Sequence, residues 1–262
     1  MTTTNGRLQG KVAVITGGAG GLGTATCHRL VNEGARVVVA DINEDAAKGL
    51  AGKLGEAAVG IAFDARDEAS IADLIDFTVD RFGRLDLLHN NAVGSALNDG
   101  SIEDADAAVW DMTYEINLRG YMLGCKYAIP HMKRQGGGVI VNMASGSALK
   151  GDLMLSAYGC VKAGVIMLTQ YVATQYGKDG IRCVSITPGA MLTDSMRNAM
   201  GEEGVRVLER HHLTPRLGNP NDLGALITYL AGDEAEFLTG INIPLDGGLL
   251  WHNPTVADRR GA

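Results

Sequence analysis

The chain has 262 residues, of which 46% are apolar and 20% are charged, and its net charge at pH 7 is −7. Because phosphate backbones attract basic proteins, this acidic balance argues against nucleic acid as a partner. The length and the lack of an obvious linker predict a single domain over residues 1–262, with its core from about 7 to 250 and a polar tail over 252–262.

The N-terminal sequence and the cysteines indicate neither secretion nor membrane insertion. The first residues lack the apolar segment of a signal peptide, and no apolar run approaches the length of a membrane helix. The four cysteines show no C-x-x-C spacing, which favours reduced thiols. We therefore expect a cytoplasmic protein without a membrane partner, and no spacing of His, Cys or Asp predicts a metal site.

Strand and helix patterns alternate along the chain. Short β-branched runs next to glycine or polar residues predict strands, and longer stretches between capping signals predict helices. The predicted strands span 11–16, 36–41, 57–64, 85–90, 139–143, 181–187 and 241–245. The predicted helices span 24–33, 43–54, 68–82, 103–117, 118–135 and 156–177, and another begins near Pro220. The segment 190–216 is expected to be mobile, with a helix near 193–210.

This alternation predicts an α/β fold of the Rossmann type. Its centre would be a doubly wound parallel sheet of about seven strands with helices on both faces. Ligands of such folds bind beyond the carboxyl ends of the strands, where the strand order reverses. Glycine or polar residues follow most of the predicted strands, so the sequence places the site at that edge of the sheet.

A glycine-rich loop follows the first predicted strand and leads into a helix. Its backbone amides and the helix N-terminus suit a pyrophosphate. Two spacings fit this loop, Gly18-x-Gly20-x-x-Gly23 and Thr16-Gly17-x-x-x-Gly21-x-Gly23. The first pattern alone is weak evidence, since 36 glycines make it expected by chance roughly 0.7 times in such a chain.

Asp41 ends the second predicted strand, 20 residues after Gly21 (41 − 21 = 20). An acid at this place accepts hydrogen bonds from the adenosine ribose and would repel a 2′-phosphate. Ile42, which is not an arginine, follows it, and Arg36 lies roughly 16 Å away at the other end of the strand. The sequence therefore predicts NAD as the cofactor in preference to NADP.

Ser145, Tyr158 and Lys162 form a second signal. Tyr158 and Lys162 are four residues apart and share one face of a predicted helix, and Ser145 follows the preceding strand. This trio is expected by chance only roughly 0.006 times per chain. The ammonium is predicted to lower the phenol pKa from roughly 10 toward 7, so that Tyr158 exchanges protons with an alcohol or carbonyl while Ser145 binds the same oxygen.

With these motifs in place, the chain resembles the short-chain dehydrogenase/reductase family over about residues 7 to 250. The second glycine spacing matches the family's cofactor loop, and Asn90-Asn91-Ala92 matches the segment that stabilises its central sheet. The resemblance implies a catalytic tetrad of Asn117, Ser145, Tyr158 and Lys162. It implies cofactor contacts from Gly17, Gly21, Leu22, Gly23, Asp41, Asp64, Ala65, Asn91, Tyr158, Lys162, Pro188, Gly189 and Thr193.

The resemblance also implies roles for the tetrad. Tyr158 would exchange a proton with the substrate oxygen while hydride moves between the nicotinamide and the substrate carbon. Lys162 would bind the nicotinamide ribose, and Asn117 would hold a water that relays protons. Val93 departs from the family glycine after Asn90-Asn91-Ala92, and a β-branched residue there predicts an altered loop path or a narrower pocket.

Segments 93–97, 146–155 and 191–213 are the predicted substrate side. Apolar residues in them favour a hydrophobic or cyclic secondary alcohol or its ketone, although packing of a helix near 193–210 explains several of them equally well. These residues are Leu149, Leu153, Met154, Met191, Met196, Met200 and Leu208. The alternatives are a 3-oxoacyl thioester reductase, which Asp41 disfavours, and a non-enzymatic NAD-binding scaffold. The resemblance implies a homotetramer or homodimer.

Overall fold

The computed structural model describes residues 6–94, 99–253 and 255–260. Its centre is a parallel sheet of seven strands in the order β3-β2-β1-β4-β5-β6-β7. The predicted doubly wound α/β fold is therefore confirmed. The strands are β1 (Val12–Thr16), β2 (Arg36–Asp41), β3 (Ala58–Ala62), β4 (Leu87–Asn90), β5 (Gly138–Met143), β6 (Ile181–Pro188) and β7 (Asn242–Leu245).

Helices cover both faces of the sheet. They are α1 (Gly21–Asn32), α2 (Glu44–Leu54), α3 (Glu68–Phe82), α4 (Ala107–Tyr114), α5 (Gly120–Arg134), α6 (Ser156–Tyr176), α7 (Asp194–His211), α8 (Pro220–Ala231) and α9 (Thr255–Arg260). Within the described ranges, no helix has the length and apolar character needed to cross a bilayer.

Successive residues of the central strands pack into two separate cores. Ile15 lies in the same apolar cluster as Leu223 of α8, whereas Val14 lies with Leu74 of α3 and Leu123 of α5. Alternate residues of a strand point to opposite faces, so a sheet covered on both sides needs apolar residues at consecutive positions. All five residues of β1 are buried, as this requirement predicts.

The prediction for residues 103–135 was only partly correct. Asp106 caps α4 by accepting from the Ala108 backbone N–H at 2.9 Å, so the helix begins after this residue and not at residue 103. Between α4 and α5, residues Glu115–Arg119 form a π-helical turn. Such turns widen the helix by one residue and are frequent at functional sites.

The segment 190–216 is more regular than expected. Thr193 caps α7, its Oγ1 accepting from the Met196 N–H at 3.2 Å. The helix then runs for 18 residues, with a bend at Gly201, whose φ is 66°. The backbone leaves the helical conformation at Gly201, so α7 consists of two helical stretches joined by a kink, and glycine adopts this φ without steric cost.

Candidate active site

Two clefts open at the carboxyl edge of the sheet. The glycine cleft, of about 550 Å³, lies over the ends of β1, β2 and β4, and its lining includes Gly17, Asp41 and Asn91. The loop cleft, of about 590 Å³, lies between residues 145–155, α7 and the chain after β7. Both clefts are lined by Leu22, Ala144, Tyr158, Pro188 and Met191. Tyr158 therefore stands where the two clefts meet.

Ser145, Tyr158 and Lys162 come together as predicted. Ser145 ends the segment after β5 and hydrogen-bonds with the Tyr158 side chain. Lys162 lies one helical turn below Tyr158, with its Nζ 5.5 Å from the centre of the Tyr158 ring. Ser145 lines only the loop cleft, whereas Lys162 lines only the glycine cleft. The phenol is thus flanked by one group from each cleft.

Lys162 is held by neutral groups. Its Nζ donates to the Met143 carbonyl at 2.8 Å and to the Tyr121 hydroxyl at 3.2 Å, and the Tyr121 hydroxyl donates in turn to the Ala92 carbonyl at 3.0 Å. The lysine is only 1% exposed. Burial therefore lowers the pKa of Lys162 to about 7.

The prediction that Lys162 lowers the phenol pKa is wrong. Burial raises the pKa of Tyr158 above its usual 10, and the hydrogen bond with Ser145 opposes this shift only in part. A buried phenolate loses hydration, and the same burial lowers the pKa of Lys162 to about 7, so the ammonium that was expected to stabilise the phenolate is only partly protonated at neutral pH. Tyr158 is consequently a neutral phenol at neutral pH and can donate a proton.

Asn117 lies in the π-helical turn and is fully buried. Its Nδ2 donates to the Thr113 carbonyl at 3.0 Å, while its Oδ1 has no hydrogen-bond partner within the described residues. A buried amide oxygen without a protein partner is a natural position for a bound water. This geometry fits the water-holding role that the resemblance implies.

The glycine loop is shaped for a close approach to a ligand. The N-cap of α1 is Gly20, which has no side chain to cap the helix, so the first amides of α1 keep their hydrogen-bonding capacity. A Cβ on Gly23 would overlap the Gly17 carbonyl, and one on Gly21 would lie 3.1 Å from the Thr193 Cγ2. A Cβ on Gly18 would lie 2.9 Å from the Ile15 carbonyl oxygen, so glycines of both spacings stand where a side chain would be crowded, and the loop suits a pyrophosphate.

Two acids lie on the adenosine side of this cleft. The Asp41 carboxylate accepts from the backbone N–H groups of Ala19 and Asn43, both at 3.1 Å, which fixes it at the end of β2. Asp64 forms a two-pronged ion pair with Arg66, with distances of 2.6 and 3.0 Å, and Arg66 lowers the pKa of that carboxyl. Both acids line the glycine cleft.

Asn90 and Asn91 tie the strands together beneath the cleft. Asn91 Nδ2 donates to the carbonyls of Thr16 (2.9 Å) and Gly17 (3.1 Å), and Asn90 Nδ2 donates to Asn142 Oδ1 at 2.8 Å. These bonds connect β4 to β1 on one side and to β5 on the other. They agree with the predicted sheet-stabilising role, and Asn91 also lines the glycine cleft.

The remaining predicted cofactor residues divide between the clefts. Leu22, Ala65, Pro188 and Thr193 line the glycine cleft, whereas Gly189 lines only the loop cleft. Val93 is 61% exposed and also lines the glycine cleft. It does not have positive φ, so the valine is accommodated without backbone strain. The predicted substrate residues 95–97 lie outside the described ranges.

The loop cleft differs from the predicted substrate side. Met191, Met196 and Leu208 line it, but Leu149, Leu153, Met154 and Met200 do not. Lys150 and Asp152, which lie in the predicted segment 146–155, also line it, but the sequence-based prediction did not include Leu249 and Leu250. The last two follow the final strand, and the rule that ligands meet strand ends would have identified them. Tyr121 was also missed, although it lies four residues after Asn117.

Known proteins resemble this chain over nearly its full length. A family model described as Enoyl-(Acyl carrier protein) reductase matches residues 17–250. The 7alpha-hydroxysteroid dehydrogenase of Bacteroides fragilis is 41% identical over 254 residues, which cover 95% of this chain and 98% of that protein. The D-threitol dehydrogenase of Mycolicibacterium smegmatis is 35% identical over 245 residues, which cover 92% of this chain and 94% of that protein.

A solved structure from Burkholderia xenovorans, described as a short-chain dehydrogenase/reductase, superposes with a TM-score of 0.88. It is 35% identical, and the match covers 95% of this chain and 99% of that one. The strand order, the glycine loop and the Ser145, Tyr158 and Lys162 cluster agree with these similarities. The chain therefore belongs to the short-chain dehydrogenase/reductase family, whose members use NAD(P), and is an oxidoreductase that acts on CH–OH groups.

Proposed function

We propose that this enzyme transfers a hydride between NAD(H) and a hydrophobic or cyclic secondary alcohol or its ketone, with Tyr158 as general acid and base. The observation that carries this proposal is the position of Tyr158 at the junction of the two clefts, with Ser145 on one side and Lys162 on the other. A substrate oxygen in the loop cleft and a nicotinamide in the glycine cleft would then meet at the phenol.

Each residue has a separate task in this scheme. The cofactor, when bound, supplies or accepts the hydride. Ser145 hydrogen-bonds the substrate oxygen and keeps it beside the phenol. Tyr158, neutral at pH 7, donates its proton to the oxygen during carbonyl reduction; during alcohol oxidation it first loses its proton to solvent, and the phenolate then takes the proton of the alcohol. Oxidation is therefore expected to accelerate with rising pH. Lys162 and the Asn117 Oδ1 lie on the route by which that proton reaches solvent.

The charges in the glycine cleft support NAD as the cofactor. Asp41 would repel a 2′-phosphate, and the neighbouring Ile42 offers no compensating charge. Arg66, the cation nearest the adenosine side, is already neutralised by its two bonds to Asp64. Arg36 lies over the Phe82 ring, with its guanidinium 5.3 Å from the ring centre.

The composition of the loop cleft supports a hydrophobic substrate. Met191, Met196, Leu208, Leu249 and Leu250 form much of its wall. A volume of about 590 Å³ falls in the range of small-molecule sites and suits a ring system better than a short polyol. The relative named for a 7alpha-hydroxysteroid supports the same substrate class. Acyl-thioester reduction is the second candidate, since the matching family model is described as an acyl-carrier-protein reductase.

Exposed apolar side chains support self-association. Met122 on α5 and Met167 and Tyr171 on α6 are between 40% and 60% exposed. We infer a homodimer or homotetramer in which these helices pair across subunits. Light scattering at several protein concentrations tests this, and a monomer throughout would contradict it.

Initial rates with each cofactor test the proposed function. The panel contains hydrophobic cyclic secondary alcohols, including a hydroxysteroid, together with threitol and a 3-oxoacyl thioester. We expect kcat/KM to be at least about tenfold higher with NAD(H) than with NADP(H), because each 1.4 kcal/mol of charge repulsion gives a factor of ten. A preference for NADP(H), or turnover of the thioester alone, would contradict the proposal. Binding of NAD without any turnover would indicate the scaffold.

A further inference from the structure

The helix that carries Tyr158 begins without a cap of its own. The residue at the N-cap position of α6 is Leu155, whose side chain cannot accept a hydrogen bond. Its φ of 66° is in the left-handed region, and among the described residues it is the one non-glycine with positive φ. The first amides of a helix need acceptors, so this start requires one from elsewhere in the chain.

Asp99 supplies these acceptors from a distant loop. Its Oδ2 accepts from the Tyr158 backbone N–H at 2.7 Å, and its Oδ1 accepts from the Ala157 N–H at 3.0 Å and from the Ser156 hydroxyl at 3.2 Å. Its backbone carbonyl accepts from the Leu155 N–H at 3.0 Å. One residue therefore binds four consecutive positions that lie 56 to 59 residues later in the chain.

The contact is charged and buried. Asp99 is only 3% exposed, and a buried carboxylate is costly unless donors surround it. Here three donors bind the carboxylate, which also lies at the positive end of a helix of 21 residues. By contrast, the carboxylate of the exposed Asp106 accepts from a single backbone N–H, that of Ala108, at the start of α4. Asp99 therefore constrains its helix more tightly than an ordinary cap does.

We propose that Asp99 is a positioning residue for the reaction: it fixes the backbone at Tyr158 and thereby sets the phenol between the two clefts. This inference rests on the proposed role of Tyr158. The bond to the Tyr158 N–H acts on the same residue whose phenol exchanges the proton. Because the reacting groups must be aligned within a fraction of an ångström, a shift of about 1 Å at this backbone is expected to slow the chemical step roughly 100-fold.

Three variants distinguish positioning of Tyr158 from simple stabilisation of the fold: Asp99→Ala, Asp99→Asn and Asp106→Ala. Asp106→Ala is the matched control, since α4 lines neither cleft. We expect kcat to fall about 10- to 100-fold in Asp99→Ala while the Kd for NAD, measured by calorimetry, stays within about threefold. Asp99→Asn keeps one acceptor oxygen and is expected to restore kcat to within about fivefold of the parent. Asp106→Ala should lower only the Tm.

The outcomes distinguish this inference from the proposed function. If Asp99→Ala and Asp99→Asn both keep kcat within about twofold of the parent while Tyr158→Phe is inactive, the inference is wrong and the role of Tyr158 stands. If Asp99→Ala does not fold, Asp99→Asn decides alone: a kcat within about twofold of the parent would overturn the inference, and a larger loss of kcat, expected to be about two- to fivefold, without a change in the Kd for NAD would support it. If Tyr158→Phe remains active, the proposed function fails first.

Discussion

The glycine cleft and the loop cleft recognise their ligands by different means. The glycine cleft is built from strand ends and backbone groups, and Asn91 fixes its geometry through bonds to the Thr16 and Gly17 carbonyls. The loop cleft is built from side chains on residues 145–155, on α7 and after β7. A site built from backbone groups can be predicted from the spacing of glycines in the sequence. A site built from side chains depends on which loops come together in the fold, and the sequence pattern does not show this. In the proposed function, cofactor binding therefore belongs to the glycine cleft and substrate choice to the loop cleft.

The largest expected effect is at Tyr158, one of the five residues that line both clefts. Tyr158→Phe removes the phenol hydroxyl without changing the ring, so kcat should fall about 10²- to 10⁴-fold, the usual contribution of general acid–base catalysis. The Kd for NAD should stay within a few-fold. Steady-state rates and calorimetry measure both quantities, and Tyr229→Phe, outside both clefts, is the control. A Tyr158→Phe variant with a tenth of the parent kcat would contradict the assigned role.

A change confined to the glycine cleft should affect cofactor binding before chemistry. In Gly23→Ala the new methyl group would overlap the Gly17 carbonyl and lie 2.7 Å from the Gly18 Cα, so the loop must move. We expect the Kd for NAD to rise by about 30-fold or more, equivalent to roughly 2 kcal/mol. Gly49→Ala in α2 is the control, because its Cβ meets nothing within 4 Å. Normal NAD binding by Gly23→Ala would show that this cleft does not hold the pyrophosphate.

The cofactor preference should change through two residues on the rim of the glycine cleft. Asp41→Ser combined with Ile42→Arg removes the repelling carboxylate and adds a cation at a side chain that is 68% exposed. We expect kcat/KM with NADP to rise at least about tenfold, since each 1.4 kcal/mol gives a factor of ten. Initial rates with both cofactors measure the ratio. No gain with NADP would mean that the ribose lies elsewhere.

Lys162→Met should abolish turnover but stabilise the fold. The pKa of Lys162 falls from 10.5 to about 7 on folding, so between these values the unfolded chain binds a proton that the folded chain does not. The destabilisation caused by the lysine is therefore fully present below about pH 7 and shrinks as the pH rises from 7 to 10.5. We expect Lys162→Met to raise the free energy of unfolding by about 1–3 kcal/mol at pH 7 and by less at higher pH. A stability difference that grows with pH would contradict this burial cost.

The smallest expected effect is in the loop cleft. Met196→Ala removes part of its wall, and the KM for a bulky cyclic substrate should rise several-fold, in keeping with about 1 kcal/mol of lost apolar contact. The KM for NAD should not change. Met200→Ala is the control, because Met200 lies on the same helix but lines neither cleft. If the two substitutions changed the KM for the substrate equally, Met196 would not contact the substrate and α7 would not form part of the substrate site.

The sequence was most informative where backbone geometry decides the structure. The bounds of α3 match the prediction because Asp67 caps its start and Gly83, with a φ of 78°, ends it. The position of Asp41 at the end of β2 and the proximity of Tyr158 and Lys162 were likewise predicted from spacing alone. In each case the residues that form the motif lie within about 20 residues of one another, so helix capping and motif spacing are enough to predict it.

The rest depends on contacts between distant segments. Nothing near Asp99 in the sequence indicates that it caps α6, and nothing near Leu250 indicates that it lines the loop cleft together with Gly146. The phenol pKa was predicted in the wrong direction because burial of Lys162 and Tyr158 is a property of the packed core and not of their spacing. The spacing of Tyr158 and Lys162 in the sequence identified the two side chains, but their protonation states depend on their burial in the fold.

Transfer of deuterium tests the central claim most directly. A cyclic secondary alcohol labelled at its carbinol carbon is incubated with the enzyme and NAD, and the NADH formed is examined by mass spectrometry and NMR. We predict that the label appears at C4 of the nicotinamide and that Tyr158→Phe forms no labelled NADH. Loss of the label to solvent, or labelled NADH formed at the parent rate by Tyr158→Phe, would contradict direct hydride transfer at the junction of the two clefts.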